Sequence, residues 1–170
     1  MNDLVLRGVE ASDAEALLAI EQRLVKAGHG MVRTLGDLPA VDEYERRLAA
    51  MLSRGFFGMM VAELSHDAIL VGYVQWQRFE PSLLRHAASL SMGVDPAFQG
   101  KGVGTTLLNH ALETLRVAGL HRVELSVLAD NDRAKRLYER AGFEVEGVRK
   151  DFVRRGERYV DDVLMARRFT

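Results

Sequence analysis

A glycine-rich loop between two regular segments is the part of the sequence best suited to chemistry. Residues 90–94 are typical of a strand end, Gly100, Gly102 and Gly104 follow at alternate positions, and an amphipathic helix comes next. Glycines let backbone N–H groups approach a ligand closely, and a helix start adds unpaired donors with a partial positive charge. The segment therefore predicts a site for an anion such as a pyrophosphate, to which Lys101 can add charge.

Two common phosphate-binding loops do not match this segment. A Walker loop needs a glycine five residues before its Gly-Lys pair and a Ser or Thr after it, but this chain has Asp95 and Gly102 there. The dinucleotide fingerprint Gly-x-Gly-x-x-Gly fails because the third glycine comes one residue early, at Gly104, and Thr105 holds its place. Such a loop is also typical of a tight strand-to-helix turn, so a second motif has to identify the ligand.

A second block provides that motif, and the two together resemble the GCN5-related N-acetyltransferase (GNAT) family. Residues 99–104, QGKGVG, match the family motif Q/R-x-x-G-x-G/A, and residues 131–143, NDRAKRLYERAGF, match its N-x-x-A-x-x-L-Y-x-x-x-G-F block. One helix and one strand separate the two blocks, as in the family. The resemblance covers about residues 4–169, and segments 146–149 and 156–166 are similar to the branch of bacterial amino-acid N-acetyltransferases.

The resemblance implies that acetyl-CoA is the co-substrate and that particular residues hold it. Backbone groups of Met92 and Val94 would pair with the pantetheine arm, Asn131 would also contact it, and Lys135 or Arg136 would approach the adenosine phosphates. The loop N–H groups would hold the pyrophosphate. The full set of predicted cofactor-binding residues is Met92, Gly93, Val94, Gln99, Gly100, Lys101, Gly102, Val103, Gly104, Thr105, Asn131, Ala134, Lys135 and Tyr138.

The same resemblance implies two catalytic groups and leaves the general base open. The Val94 N–H would stabilise the charge on the thioester oxygen, and Tyr138 would protonate the leaving thiolate, since a phenol of pKa about 10 keeps its proton at neutral pH. Many relatives place a base carboxylate on the strand before the loop. Here the candidate positions hold Ser89 and Ser91, and no acidic residue follows until Asp95. A water chain or a carboxylate from elsewhere are the alternatives.

The predicted acceptor is a small primary amine such as an amino acid. Trp76, Arg78 and Arg149 are the candidate substrate-binding residues, because an arginine can hold a substrate carboxylate through two parallel hydrogen bonds. For Trp76, a tryptophan on a strand, packing is the more usual role. Two alternatives stay open: a protein or peptide N-acetyltransferase acting on an N-terminus or a lysine, and a CoA-binding sensor without turnover.

Composition excludes several other classes. The 170 residues include 23 Lys and Arg and 24 Asp and Glu, and a net charge of -1 argues against nucleic-acid or anionic-membrane binding, which needs a positive field. With no cysteine and no paired spacing among five histidines, we expect no metal and no disulfide. No apolar run approaches the roughly 18 residues of a membrane span or the core of a signal peptide. We expect a cytoplasmic protein, and a homodimer is compatible with the sequence.

Periodicity and turn residues predict the elements that must position these groups. Their order is β-α-α-β-β-β-loop-α-β-α-β-β, with a helix-capping box at Ser12–Glu15. Residues 143–148 are predicted as a separate strand and 152–168 as a closing hairpin that turns near Gly156. Strand–helix–strand units in the second half require a parallel pair. We expect one domain over residues 1–170, a mixed α/β, GNAT-like fold whose mostly antiparallel sheet has a splayed parallel pair and helices on both faces.

Overall fold

The computed structural model describes residues 3–28, 30 and 32–169. This part of the chain contains seven strands and four α-helices. The strands are β1 (Leu4–Gly8), β2 (Phe57–Leu64), β3 (Ile69–Arg78), β4 (Ala87–Val94), β5 (Arg122–Leu128), β6 (Glu144–Arg155) and β7 (Arg158–Arg168). The helices are α1 (Ala14–Ala27), α2 (Val41–Leu52), α3 (Val103–Val117) and α4 (Asp132–Arg140). Their order along the chain is the predicted one.

All strands join one sheet in the order β1-β2-β3-β4-β5-β7-β6. Neighbours pair antiparallel except β4 and β5, which run parallel and pair only from Ala87 with Arg122 to Ser89 with Glu124. Both strands continue beyond that last pair, to Val94 and Leu128, so they diverge. The predicted mixed sheet with one splayed parallel pair is confirmed.

The helices cover the sheet unequally because its two faces carry different side chains. On one face α3 packs on β2, β3 and β4, and a larger core includes Leu107, Leu108, Ala111, Val123 and Met165. On the other face a smaller core joins α1 and α2 to β2 and β3, and includes Leu17, Ile20, Leu48, Val61 and Tyr73. Among the described residues, β5 and β7 contribute no side chain to this smaller core. Their half of that face is therefore free to form a site.

The start of α1 differs from the prediction because Arg7 engages the capping residue. A short 3₁₀ turn precedes α1, and the capping carboxylate is that of Asp13, which accepts the Glu10 N–H at 2.8 Å. Arg7 of β1 donates to both Asp13 oxygens at 2.8 Å. The box expected at Ser12–Glu15 is therefore wrong: the capping box lies two residues earlier, at Glu10 and Asp13, and caps the 3₁₀ turn, with the Asp13 carboxylate held by its ion pair with Arg7.

Strand β6 is longer than the sequence predicts. The separate strand at 143–148 and the first arm of the hairpin are one strand, interrupted by a bulge between Arg149 and Val153. Asp151 in this bulge has φ of 51°, and its N–H donates to Asp161 of β7 at 2.9 Å. The bulge takes up the extra residues, so the ladder with β7 continues to the turn at Gly156.

The close packing between Gly58 and Trp76 can be tested by substitution. It pairs with Trp76 of β3, and a Cβ at Gly58 would lie 2.4 Å from the Cε2 atom of the indole. We expect Gly58→Ala to lower the free energy of unfolding by about 1–3 kcal/mol, because the indole has to move. Gly8→Ala in β1 is the matched control: nothing lies within 4 Å of its Cβ, and its change should stay within about 0.5 kcal/mol. Urea unfolding measures both, and equal losses would contradict this account.

Candidate active site

The divergence of β4 and β5 opens a cleft of about 760 Å³, called here the gap cleft. The Asp95 N–H donates to the Val71 carbonyl at 2.9 Å, which makes Gly72 and Val94 a non-hydrogen-bonded pair of the β3–β4 ladder. Met92 and Val94 therefore direct their backbone groups away from β3. Because the β5 ladder has already ended, these groups face the gap. The Val94 carbonyl accepts from the Gln99 amide at 3.0 Å, which leaves the N–H groups for a ligand.

The glycine-rich loop forms a set of free backbone donors at one end of the gap cleft. Gly100 and Gly102 have φ of 77° and 86°, in the left-handed region that other residues enter at a cost. Gly102 caps α3, and the Thr106 N–H makes a 3.0 Å bond to its carbonyl. The N–H groups of residues 103–105 precede that bond and have no helical partner. Unpaired N–H groups at the start of a helix are donors of the kind that bind an anion.

Most residues predicted from the two motifs come together in this cleft. Lining it are Met92, Gly93, Val94, Gln99, Gly100, Gly102, Gly104, Thr105, Asn131, Ala134 and Tyr138. Three predicted residues lie outside the lining. Val103 is buried in the larger core, the Lys101 ammonium lies 5.0 Å from the Phe98 ring centroid, and Lys135 approaches Asp132 at 3.3 Å.

Helix α4 places Tyr138 at the wall of the gap cleft. The Asn131 side chain accepts the Ala134 N–H at 3.2 Å and so begins the helix, and two turns later Tyr138 lies against Phe143 with ring centroids 5.8 Å apart. Tyr138 is only 7% exposed, and burial raises the pKa of its phenol to about 12. The hydroxyl therefore stays protonated throughout the physiological pH range.

A second cleft of about 590 Å³, the face cleft, lies on the half of the sheet that α1 and α2 leave free. Strand alternation brings Gln75, Gln77, Ser89, Ser91, Glu124 and Ser126 to its lining, and Met51 and Phe57 add an apolar edge. Its lining has five residues in common with the gap cleft: Gln75, Leu90, Ser91, Ser126 and Arg149. The two clefts therefore meet where β4 and β5 separate.

The charges of the face cleft form two groups. Arg122 donates to Glu124 at 3.0 and 3.2 Å and also to both oxygens of Glu146, and these bonds lower the pKa of the Glu146 carboxyl. Arg149 donates to the buried carboxylate of Asp162, and its guanidinium carbon lies 3.8 Å from the Phe152 ring centroid. Arg149 is therefore held in place, and its Nε and Nη2 groups already donate to Asp162.

The three predicted substrate-binding residues have different locations. Arg149 lines both clefts. Trp76 lines the face cleft but also packs against the larger core, with its indole over Gly58. Arg78 lines neither cleft, and its Nη2 atom lies 3.5 Å from the Arg85 carbonyl oxygen.

Sequence reasoning missed a partly buried polar cluster beside the gap cleft. Glu21 of α1 accepts from the Tyr44 hydroxyl at 3.1 Å and from Arg33 at 3.3 Å, and Glu21, Arg33 and Tyr73 line the cleft. Burial raises the pKa values of the Tyr44 and Tyr73 phenols, and the Glu21 charge adds to both. These residues come from separate segments with no common spacing, so no sequence pattern predicts that they lie together.

Arg133 was also missed, because it occupies an unspecified position of the second motif. It lines the gap cleft and donates to the Gln99 side chain at 2.6 Å. This hydrogen bond links the second motif to the first.

Two absences apply to the residues that the structure describes. None of its helices has the length and apolar character needed to cross a membrane. No three of the described acidic and histidine side chains are grouped so that they could hold a metal ion.

Comparisons with known proteins agree with this geometry. The family model described as the acetyltransferase (GNAT) family matches residues 19–143. The L-amino acid N-acetyltransferase AaaT of Escherichia coli is 29% identical, over 98% of this chain and 99% of its own length. The ribosomal protein bS18-alanine N-acetyltransferase of Salmonella typhimurium is 30% identical, over 76% of this chain and 90% of its own.

A solved structure shares the whole fold. The acetyltransferase yncA of Salmonella typhimurium, determined with acetyl-CoA, superposes with a TM-score of 0.86 over 99% of this chain and 95% of its own, at 22% identity.

Proposed function

Because the chain belongs to the GNAT family, and so is an acetyl-CoA-dependent N-acetyltransferase, we propose that it acetylates a small primary amine, with a free amino acid as the first candidate. One observation carries this proposal: a cleft with an anion cradle and a polar cleft of small-molecule size meet at the β4–β5 gap. Residues 1–170 would act as a single catalytic domain.

Acetyl-CoA would occupy the gap cleft. The cradle of Gly100, Gly102 and the N–H groups of residues 103–105 would hold the pyrophosphate. The N–H groups of Met92 and Val94 face the gap and would pair with pantetheine as a missing strand does. The yncA structure, which has the same fold and was determined with acetyl-CoA, supports acetyl-CoA as the ligand.

Val94 and Tyr138 would perform the transfer itself. The Val94 N–H would donate to the thioester oxygen as negative charge develops there. Tyr138 would give its proton to the departing sulfur. A phenol of pKa about 12 is a weak acid, but burial also raises the pKa of a thiol, so the desolvation that weakens the donor strengthens the acceptor. Both pKa values then move in the same direction, so proton transfer from Tyr138 to the sulfur stays within reach.

The face cleft supports a small acceptor. Its volume of about 590 Å³ lies within the roughly 300–1,000 Å³ typical of small-molecule sites. Arg149 keeps donors beyond those used by Asp162 and would receive a substrate carboxylate at the meeting point of the clefts. The full-length similarity to AaaT, named an L-amino acid N-acetyltransferase, favours the same class. Similarity to the bS18-alanine enzyme makes a protein N-terminus the second candidate.

The anion cradle predicts how acetyl-CoA affects thermal stability. Acetyl-CoA should raise the Tm, because a ligand of the folded state stabilises it by mass action, and Gly102→Val should abolish that rise by blocking the N–H groups. Gly119→Val is the matched control. Gly119 follows the other end of α3 with a similar φ of 78° and nothing within 4 Å of its Cβ, so this variant should be strained as well but keep the rise. A normal rise in Gly102→Val would place the pyrophosphate elsewhere.

The role of Tyr138 predicts a loss of turnover without a loss of binding. Tyr138→Phe should lower kcat by about 10²-fold or more, the usual contribution of a positioned general acid, and should keep the acetyl-CoA rise in Tm. Tyr159→Phe is the control, since Tyr159 is 56% exposed on β7. Thiol release measured in a stopped assay gives both rates. Wild-type turnover in Tyr138→Phe would rule out proton donation by this residue.

The acceptor class is tested by a panel of the twenty L-amino acids, their amides, spermidine, and tripeptides with the same first residues. We expect a free amino acid to give the highest kcat/KM for CoA release, and its amide to be worse because Arg149 loses the carboxylate. A tripeptide that wins by tenfold or more would replace the small-molecule proposal by a peptide N-acetyltransferase.

A further inference from the structure

We propose that Glu124 is the general base, a carboxylate on β5 that takes the place of the one missing from β4. This inference rests on the proposed function, since it assigns the proton acceptor for the same amine. It explains how the chain would deprotonate an ammonium although the candidate positions for a base carboxylate on β4 hold Ser89 and Ser91.

Glu124 lies at the vertex of the gap. Ser89 and Glu124 are the last pair of the β4–β5 ladder, so their side chains project from the same face of the sheet and the strands diverge immediately beyond them. Glu124 lines the face cleft together with Ser89 and Ser91. An amine that moves from the face cleft toward the gap therefore passes this carboxylate.

The other carboxylates near the gap are already engaged. Asp95 at the end of β4 accepts from Ala97 at 3.0 Å and from Arg23 at 2.7 Å. Glu21 has Tyr44 on one oxygen and Arg33 on the other. In the face cleft, Arg122 holds both oxygens of Glu146 but only the Oε2 atom of Glu124.

The Oε1 atom of Glu124 is thus free to accept. Within the described residues it has no hydrogen-bond partner, and the Glu124 side chain is 41% exposed to the cleft. Arg122 fixes the other oxygen, which orients the carboxylate without using the atom that would meet the amine.

The charge of the cluster suits an ammonium. One cation, Arg122, serves two carboxylates, Glu124 and Glu146, so the group carries a net negative charge. The other cation in the lining of the face cleft, Arg149, is paired with Asp162, and Arg168 of β7 is paired with Glu144. A positive amine is therefore attracted to the cleft wall that carries the base.

The protons balance as follows. The ammonium gives one proton to Glu124 Oε1, which passes it to solvent. The nitrogen lone pair then forms the N–C bond with the thioester carbonyl carbon, and the C–S bond breaks. Tyr138 gives its proton to the sulfur, and the second proton lost by the nitrogen returns to Tyr138 through solvent. The products are the amide, CoA thiol and one free proton.

The test is the pH dependence of kcat/KM for Glu124→Gln with the best acceptor of the panel. The amide keeps the bond from Arg122 but cannot take a proton. We expect a loss of about 10²-fold at pH 7 that shrinks by about tenfold per pH unit toward pH 9, as the fraction of free amine rises. Tyr138, with its pKa of about 12, stays protonated over this range. A loss that is equal at every pH would overturn the proposal.

Two further variants separate the base from the structure around it. Glu146 accepts from the same Arg122. Any loss of kcat/KM in Glu146→Gln should therefore be constant with pH. Ser89→Glu, added to Glu124→Gln, restores a carboxylate across the strand and should recover at least tenfold at pH 7. The acetyl-CoA rise in Tm should stay normal in all three variants. A wild type that releases no CoA with any panel member contradicts the proposed function as well, whereas a wild-type pH profile in Glu124→Gln contradicts this inference alone.

Discussion

The site depends on one constraint: β4 loses its partner after three residue pairs. Backbone N–H and C=O groups have to be hydrogen-bonded, and an unpaired strand edge inside a protein needs a ligand, water or another strand. Met92 and Val94 present such an edge to the gap, and Gln99 satisfies only a carbonyl. The rest of the architecture follows from keeping the gap open, with α3 beginning at one end of it and α4 closing one wall. A continuous ladder to Val94 would remove the cleft.

The parts of the site that depend on local chain geometry could be predicted from the sequence. Alternate glycines before an amphipathic helix indicate left-handed backbone at the helix start, and Gly102 indeed holds φ of 86° at the start of α3. Asn131 and Ala134 form the cap that begins α4 and so place Tyr138 two turns later. These relations extend over a few residues, so their spacing in the sequence is the spacing in space.

The parts that depend on pairing between distant segments could not. Glu124 is a candidate base only because the ladder between β4 and β5 ends at its pair with Ser89. The sequence does not predict that strand register. Glu21, Arg33 and Tyr44 meet only after α1 and α2 pack on the sheet. The capping box before α1 was misplaced for the same reason, since Arg7 of β1 holds Asp13. Long-range contacts, rather than weak local preferences, account for these misses.

The uneven covering of the sheet has a consequence for the order of events in one catalytic cycle. The gap cleft and the face cleft approach the same point from different sides and have only five lining residues in common. With acetyl-CoA in the gap cleft and the amine in the face cleft, as proposed, neither substrate would have to depart before the other arrives. The chain has no cysteine, and no histidine is among the described residues that line either cleft. With the substrates bound as proposed, the acyl group would pass straight from donor to acceptor, and the kinetics expected are those of a ternary complex.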